Sequence, residues 1–317
     1  MGTSQEDRPF TKVKGWAATE GRWSFEGATA HYLTPERPDY AVGTVHTDIR
    51  GTDLTVRLGI TFKTIPDSPL PENGITAGVL LGIGGTERRD VVLGLGGWGG
   101  AYSLSQFKAG TGYVPLVSSG RLANLNPTQR YEVEVIQRGQ MLALSVDEVM
   151  VIEKVLPEPL GGNQLGLRAW GTESIDFSDV QARQTRPSLF VAMQFSEPYD
   201  TLYKEVIERK GKEAGFDVVR IDDVKRPGII FQDIQQAISE ATAILAEISP
   251  ANNNVSYELG YAHALRKPTI LLARRGQELP FDIRSYRVIF YDDTIGGKTG
   301  LEETLEKHLA SVLREIH

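Results

Sequence analysis

Thr242-Ala-Ile-Leu-Ala-Glu-Ile248, Asn252-Asn-Asn-Val-Ser-Tyr-Glu-Leu-Gly-Tyr-Ala262 and Pro268-Thr-Ile-Leu-Leu-Ala273 follow one another near the C-terminus of this chain. The first and third are apolar runs of strand length, and Val255 to Arg266 between them reads as a helix. Apolar strands joined through a helix predict a parallel pair covered on both faces, so the fold here is α/β.

The same alternation extends outward. Upstream, Ser188-Leu-Phe-Val-Ala-Met193 reads as a strand, and Pro198 to Ala214 as a helix with Leu202 and Val206 four apart. Phe216-Asp-Val-Val-Arg-Ile221 is a second strand, and Phe231 to Glu240 a helix with Ile234, Ile238 and Ala241 on one face. Downstream, Arg287-Val-Ile-Phe-Tyr291 is a fifth strand, followed by a helix carrying Leu301, Leu305, Leu309, Val312 and Leu313 on one stripe. Five such strands suit a flavodoxin-like parallel sheet of order 2-1-3-4-5. Its ligands sit at the carboxyl ends of the strands, at the switch point between the first and third.

Before Pro187 the pattern changes. Leu54, Val56 and Leu58, then Tyr131, Val133 and Val135, then Leu142, Leu144 and Val146 alternate at period two, as half-buried strands do. Turn signals at Arg50-Gly-Thr-Asp53, Arg138-Gly-Gln140 and Gly161-Gly-Asn163 separate the runs. The expectation is an all-β sandwich of jelly-roll type over residues 1–184. Polar Gln181-Ala-Arg-Gln-Thr-Arg-Pro187 reads as the linker, with 185–187 dividing the sandwich from an α/β domain over 188–317. Gly94-Leu-Gly-Gly-Trp-Gly-Gly100 lies between β patterns with no helix after it, so it reads as a sheet bend and not as a phosphate loop.

The composition excludes several classes. The chain has 317 residues and no cysteine, which removes disulfides, thiolate metal sites and cysteine nucleophiles. Its net charge of -7 disfavours direct nucleic-acid binding. The basic group Arg266, Lys267, Arg274 and Arg275 reads as a solvated helix end and loop, or else as a hold for one small anion. Five scattered His residues show no metal-site spacing, so neither metal nor cofactor is expected. No signal core or membrane-length apolar run stands out, which predicts a cytoplasmic protein without a membrane partner.

The switch-point loops are Gln194-Phe-Ser-Glu197 and Ser249-Pro-Ala-Asn-Asn-Asn254. An Asn near 254 caps the following helix, which places Glu258 in or just past its first turn. There the exposed amides and the dipole would hold its carboxylate ionised, as attack at a sugar C1′ requires. Gln194, Phe195, Asp222, Asn252, Asn254 and Tyr257 are the candidate substrate contacts. Each has a plainer reading. Tyr257 and Tyr261, four apart, form a packing face; Phe195 is a buried loop aromatic; Asp282 and Arg284 form an internal ion pair. Gly260 lets its helix approach the sheet, and His263 is a partly exposed helix residue.

The run Asn252 to Ala264, with Lys267-Pro268 and an apolar strand after it, resembles the core motif of the nucleoside 2-deoxyribosyltransferase-like and TIR-like nucleotide N-glycosidases. Leu279-Pro-Phe-Asp-Ile-Arg284 and Arg287-Val-Ile-Phe-Tyr-Asp292 resemble its effector-like branch, and the likeness spans 188–317. The resemblance implies cleavage of the base–sugar bond of a nucleoside, nucleotide or NAD, with Glu258 as nucleophile or oxocarbenium stabiliser. It also implies kinship with bacterial antiviral defence effectors, whose partner domain senses a trigger, binds a partner or drives homo-oligomerisation. Deoxyribosyltransferases usually place an acidic residue in the loop that is Asn252-Asn253-Asn254 here, which favours hydrolysis over base exchange. Glu247 and Asp222 are the nearest acidic substitutes, each to position a ribose or to cap a loop. Tyr131-Glu-Val-Glu-Val135, Leu142-Ala-Leu-Ser-Val-Asp147, Gly166-Leu-Arg-Ala-Trp-Gly171 and Ile175-Asp-Phe-Ser-Asp-Val180 resemble concanavalin-like and laminin-G-like sandwiches over residues 16–182. The competing readings are a non-catalytic nucleotide-signal binder with a carbohydrate- or protein-binding sandwich, and a glycan-active sandwich.

Overall fold

The computed structural model describes residues 8–36, 41–65, 74–221, 230–249, 251–279, 283 and 286–316. Fifteen antiparallel strands come first: β1 (Thr11–Lys12), β2 (Ala17–Glu20), β3 (Trp23–Glu26), β4 (Thr29–Tyr32) and β5 (Val42–Arg50). Next are β6 (Leu54–Phe62), β7 (Thr76–Ile83), β8 (Val91–Gly96), β9 (Tyr102–Lys108) and β10 (Gly112–Ser119). The last are β11 (Arg130–Arg138), β12 (Met141–Val146), β13 (Val149–Val155), β14 (Gln164–Trp170) and β15 (Ile175–Gln184). They form two sheets, ordered β13-β12-β11-β6-β15-β4-β3 with β1 beside β15, and β10-β9-β8-β7-β14-β5-β2. Alternation explains the sandwich. Leu54, Val56, Leu58, Ile60 and Phe62 on β6 are buried against Val79 and Leu81 of β7, Leu93 of β8 and Leu167 of β14 in one shared core. The strand β15 runs on through Gln184, so the linker is shorter than the polar run from Gln181 suggests.

A parallel sheet follows, built from β16 (Ser188–Ala192), β17 (Asp217–Val219), β18 (Ala243–Glu247), β19 (Thr269–Arg274) and β20 (Val288–Tyr291). Its order is β17-β16-β18-β19-β20, with every pairing parallel, as the sequence pattern predicts. Helices α1 (Tyr199–Leu202), α2 (Arg209–Glu213) and α5 (Ile295–Ile316) lie on one side, while α3 (Ile230–Glu240) and α4 (Asn253–Ala264) lie on the other. Between α1 and α2 the stretch Tyr203–Glu208 is π-helical and keeps Tyr203, Val206 and Ile207 buried. Gly211 on α2 meets the sheet where a Cβ would stand 2.5 Å from Val218 Cγ2. Gly260 behaves otherwise than expected. It is exposed with open space around it, so it has no part in bringing α4 to the sheet.

The sandwich and the α/β domain meet at a polar knot. The buried Asp53 carboxylate, in the β5–β6 turn, accepts from Gly139 N at 3.0 Å and from the Thr242 hydroxyl at 2.9 Å. Gln140 N donates to Ser239 O at 3.2 Å, and Gln140 Nε2 to Leu265 O at 2.8 Å. Lys267 Nζ donates to Ser239 O at 2.7 Å and Ala241 O at 2.6 Å, capping the C-terminal end of α3. Burial pulls the Lys267 amine down to about 7, against the opposing pull of Asp53 and Glu240. The basic group read from the sequence is therefore no solvated patch. Lys267 is buried, Arg266 pairs with Glu158, Arg274 with Asp293 and Arg275 with Asp292. Among the described residues no helix is long and apolar enough to cross a membrane.

Candidate active site

The register Ala192↔Ala246 sets the ends of β16 and β18 side by side, so Gln194 and Phe195 emerge beside Ile248 and Ser249. This is the switch point of the sheet. Gln194 Nε2 donates to Ser196 Oγ at 2.7 Å. Phe195 is exposed, and not the buried loop aromatic of the plainer reading. Its ring covers the Arg220 guanidinium at 5.0 Å, with Tyr203 at 4.2 Å from the same group and Asp200 paired to it at 2.7 Å.

After β18 the chain turns into α4, and Asn252 is the residue that caps it. Its Oδ1 accepts from Asn254 N at 2.9 Å and Val255 N at 3.4 Å, while the Asn254 side chain faces solvent. Losing this cap by Asn252→Ala is expected to cost about 1 kcal/mol, read as a lower urea midpoint with an unchanged slope.

Glu258 lies in the second turn of α4, on its buried side with Val255, Leu259 and Ala262. It is 5 % exposed and has no hydrogen-bond or ion-pair partner among the described residues. Burial pushes its carboxyl from the ordinary 4.5 up to about 7. This corrects the sequence expectation of a carboxylate held ionised by the helix start. The dipole acts over the first turn only, and desolvation of a lone carboxyl outweighs it here.

Glu247, the acidic alternative, closes β18 from the other face. Alternation along β18 sends it toward α1 and α5 with Leu245, away from α4. It is fully buried, accepts from the Ser249 hydroxyl and amide, and accepts from Tyr291 OH at 3.1 Å. Burial raises its carboxyl in turn, and its Oε2 has no partner. The Ser249 hydroxyl also accepts from Arg274 N at 2.5 Å, so Glu247 and Ser249 together tie the ends of β18, β19 and β20. Glu247 thus matches the loop-capping reading. Beside it a cavity of about 440 Å³ opens, lined by Tyr199, Arg274, Tyr291, Asp292 and Lys298. Periodicity gave no sign of this cavity, because its walls come from four separate segments.

Tyr257 and Tyr261 stack with centroids 6.4 Å apart, and Phe231 lies 5.0 Å from Tyr257. Gln235 Nε2 donates to Tyr257 OH at 3.0 Å, so this row joins α3 to α4 as a packing face. His263 stacks on Tyr286 at 4.5 Å and is partly exposed. Asp222, Asp282 and Arg284 lie outside the described residues. Among the described residues no group of three or more His, Asp or Glu is placed to hold a metal ion.

No protein-family model matches the sequence, and no curated protein is a sequence relative. Solved structures are similar to parts of the chain. A carbohydrate-binding module from Bacillus subtilis is 15% identical over 56% of this chain and 100% of its own, with a TM-score of 0.43. A Bacillus licheniformis beta-glucanase is 10% identical over 57% of this chain and 96% of its own, with a TM-score of 0.38. A 2-deoxyribosyltransferase from Bacillus psychrosaccharolyticus is 16% identical over 39% of this chain and 95% of its own, with a TM-score of 0.33. Each of these scores is below 0.5, so the likenesses leave function to the chain's own residues.

Proposed function

We propose that the α/β domain is an N-glycosidase that cleaves the base–sugar bond of a nucleoside, a nucleotide or NAD, with Glu258 as its nucleophile. The observation that carries the reading is the isolation of Glu258: a buried carboxyl at the switch-point helix, with no partner among the described residues and a pKa pushed up to about 7. An ionised carboxylate there has no countercharge to satisfy it. Positive charge developing at the anomeric carbon supplies one, so the transition state gains more from the site than the neutral ground state does. Glu258 would form an ester to C1′ as the C–N bond breaks. The base leaves with the bonding electrons and takes up a proton, and water then hydrolyses the ester. Gln194, Phe195 and Asn252 stand at the same edge of the sheet, where a base and ribose would lie.

The sandwich, joined through the Asp53 knot, would bind the ligand or partner that controls the glycosidase, the arrangement of an antiviral effector. The test is base release by chromatography from NAD and from a panel of ribo- and deoxyribonucleosides and nucleotides. Free base or nicotinamide from wild type, absent with Glu258→Gln, supports the reading. Nucleotide binding by calorimetry without any release would replace it with a non-catalytic sensor.

A further inference from the structure

A second pocket, of about 320 Å³, opens on the outer face of the sandwich, on the sheet that contains β2, β5, β14, β7, β8 and β9. Register fixes its floor. Glu20, Thr44, Arg168, Gly78, Gly94 and Ser103 form one row across those six strands. Gly78 and Gly94 bring no side chain to the middle of the row, which leaves a hollow between the polar group on one side and Ser103 on the other.

The polar groups are fixed before any ligand arrives. Arg168 Nη1 donates to Glu20 at 3.1 Å and to the Thr44 hydroxyl at 2.7 Å, and that hydroxyl donates to Glu20 at 2.7 Å. Arg88 Nε donates to Asp90 at 3.0 Å, and Tyr113 OH donates to the other Asp90 oxygen. The Arg168 guanidinium also lies 4.4 Å from the centre of the Tyr113 ring. Although burial pushes the Glu20 carboxyl up, the Thr44 hydroxyl and Arg168 hold it below its ordinary range, so it stays an acceptor. Two guanidinium groups and two carboxylates cancel. The pocket offers fixed donors beside fixed acceptors with no uncommitted cation, and such a surface suits neutral hydroxyl groups better than a phosphate or carboxylate.

Aromatic faces complete it. Trp16 and Trp23 donate their indole N–H to the carbonyls of Gly27 and Glu20, whereas Trp98 and Trp170, both lining this pocket, donate to no group of the protein. Trp98 has φ 55, within a run where Gly96, Gly97 and Gly99 are also left-handed. A bulky residue in that region carries backbone strain, and such strain collects where a side chain must be presented. No buried contact accounts for it, because Trp98 is half-exposed at the rim.

We propose that this pocket binds a neutral saccharide, with a sugar ring stacked on Trp98 or Trp170 and its hydroxyls bridging Arg168, Glu20 and Asp90. The proposal is independent of the glycosidase reading. Full-length protein would be titrated with glucose-, galactose-, mannose-, xylose- and fructose-based tetrasaccharides, and separately with adenosine and AMP. Tryptophan fluorescence and calorimetry follow binding up to about 10 mM ligand. At least one neutral tetrasaccharide is expected to bind, and Trp98→Gly and Trp170→Ala each to weaken it roughly ten-fold or more. Trp98→Gly relieves the left-handed strain, so it should lose binding with a melting temperature unchanged or higher, which separates recognition from folding. Glu258→Gln should leave the affinity unchanged. The proposal fails if no tetrasaccharide binds the folded protein. It fails equally if binding survives both tryptophan substitutions or is lost in Glu258→Gln. Adenosine binding in place of every saccharide would assign the pocket to a nucleoside and overturn it too.

Discussion

Glu258→Gln is expected to abolish base release and, at pH 8, to raise the stability of the protein by roughly 3 kcal/mol. The folded-state carboxyl titrates near 7 and its ordinary value is 4.5, so between those values the folded chain holds a proton that the unfolded chain has released. The associated stability is complete below about 4.5, declines as pH rises, and is gone above about 7. Glutamine carries no charge to bury, so the variant lacks this decline. Urea melts should show wild type and variant converging near pH 4.5 and diverging by pH 8. A variant less stable than wild type at pH 8 would mean that the carboxylate has a partner offsetting its burial. Activity should move the opposite way to stability. The nucleophile is the ionised form, so kcat/KM climbs with pH and levels off above about 7. A profile that falls across that range would make Glu258 an acid and not a nucleophile.

Gly139→Val is expected to cost about 3 kcal/mol or more and to loosen the two domains from each other. Gly139 has φ 51, and a Cβ there would stand 2.6 Å from Ala241 O and 2.7 Å from Glu240 O. Those carbonyls belong to the backbone at the end of α3, so no rotamer change makes room. A β-branched side chain adds its own penalty at positive φ. Moving Gly139 also withdraws its N–H from Asp53, leaving a buried carboxylate with one donor fewer. A lower urea midpoint and faster proteolytic cleavage between 184 and 188 would be seen together. A loss under about 1 kcal/mol would show that the contact gives way freely.

The parallel sheet was legible from the sequence because its strands are apolar throughout and its helices are amphipathic, two periods that do not resemble each other. The Asn252 cap was legible for a similar reason, since capping is decided within three residues. Features that depend on distant partners were not. Lys267 looks like one of four clustered cations, yet its amine is buried on the carbonyls of Ser239 and Ala241. The dipole argument for Glu258 used its place in the chain, while its protonation follows from what α4 packs against. Glu20 and Arg168 meet across 148 positions, so only the sheet register could bring them together.

The π-helical turn Tyr203–Glu208 bears on which insertions and deletions this gene can tolerate. A π turn holds one residue more than an α ladder needs over the same span, and it absorbs the surplus without breaking the helix. Deleting one residue there would restore α-helical spacing but rotate everything after it by about 100°. Gly211 would leave Val218, and a lysine from position 210 or 212 would swing toward the sheet at a point that admits no Cβ. The extra residue has thereby become obligatory, because the packing of α2 is built around it.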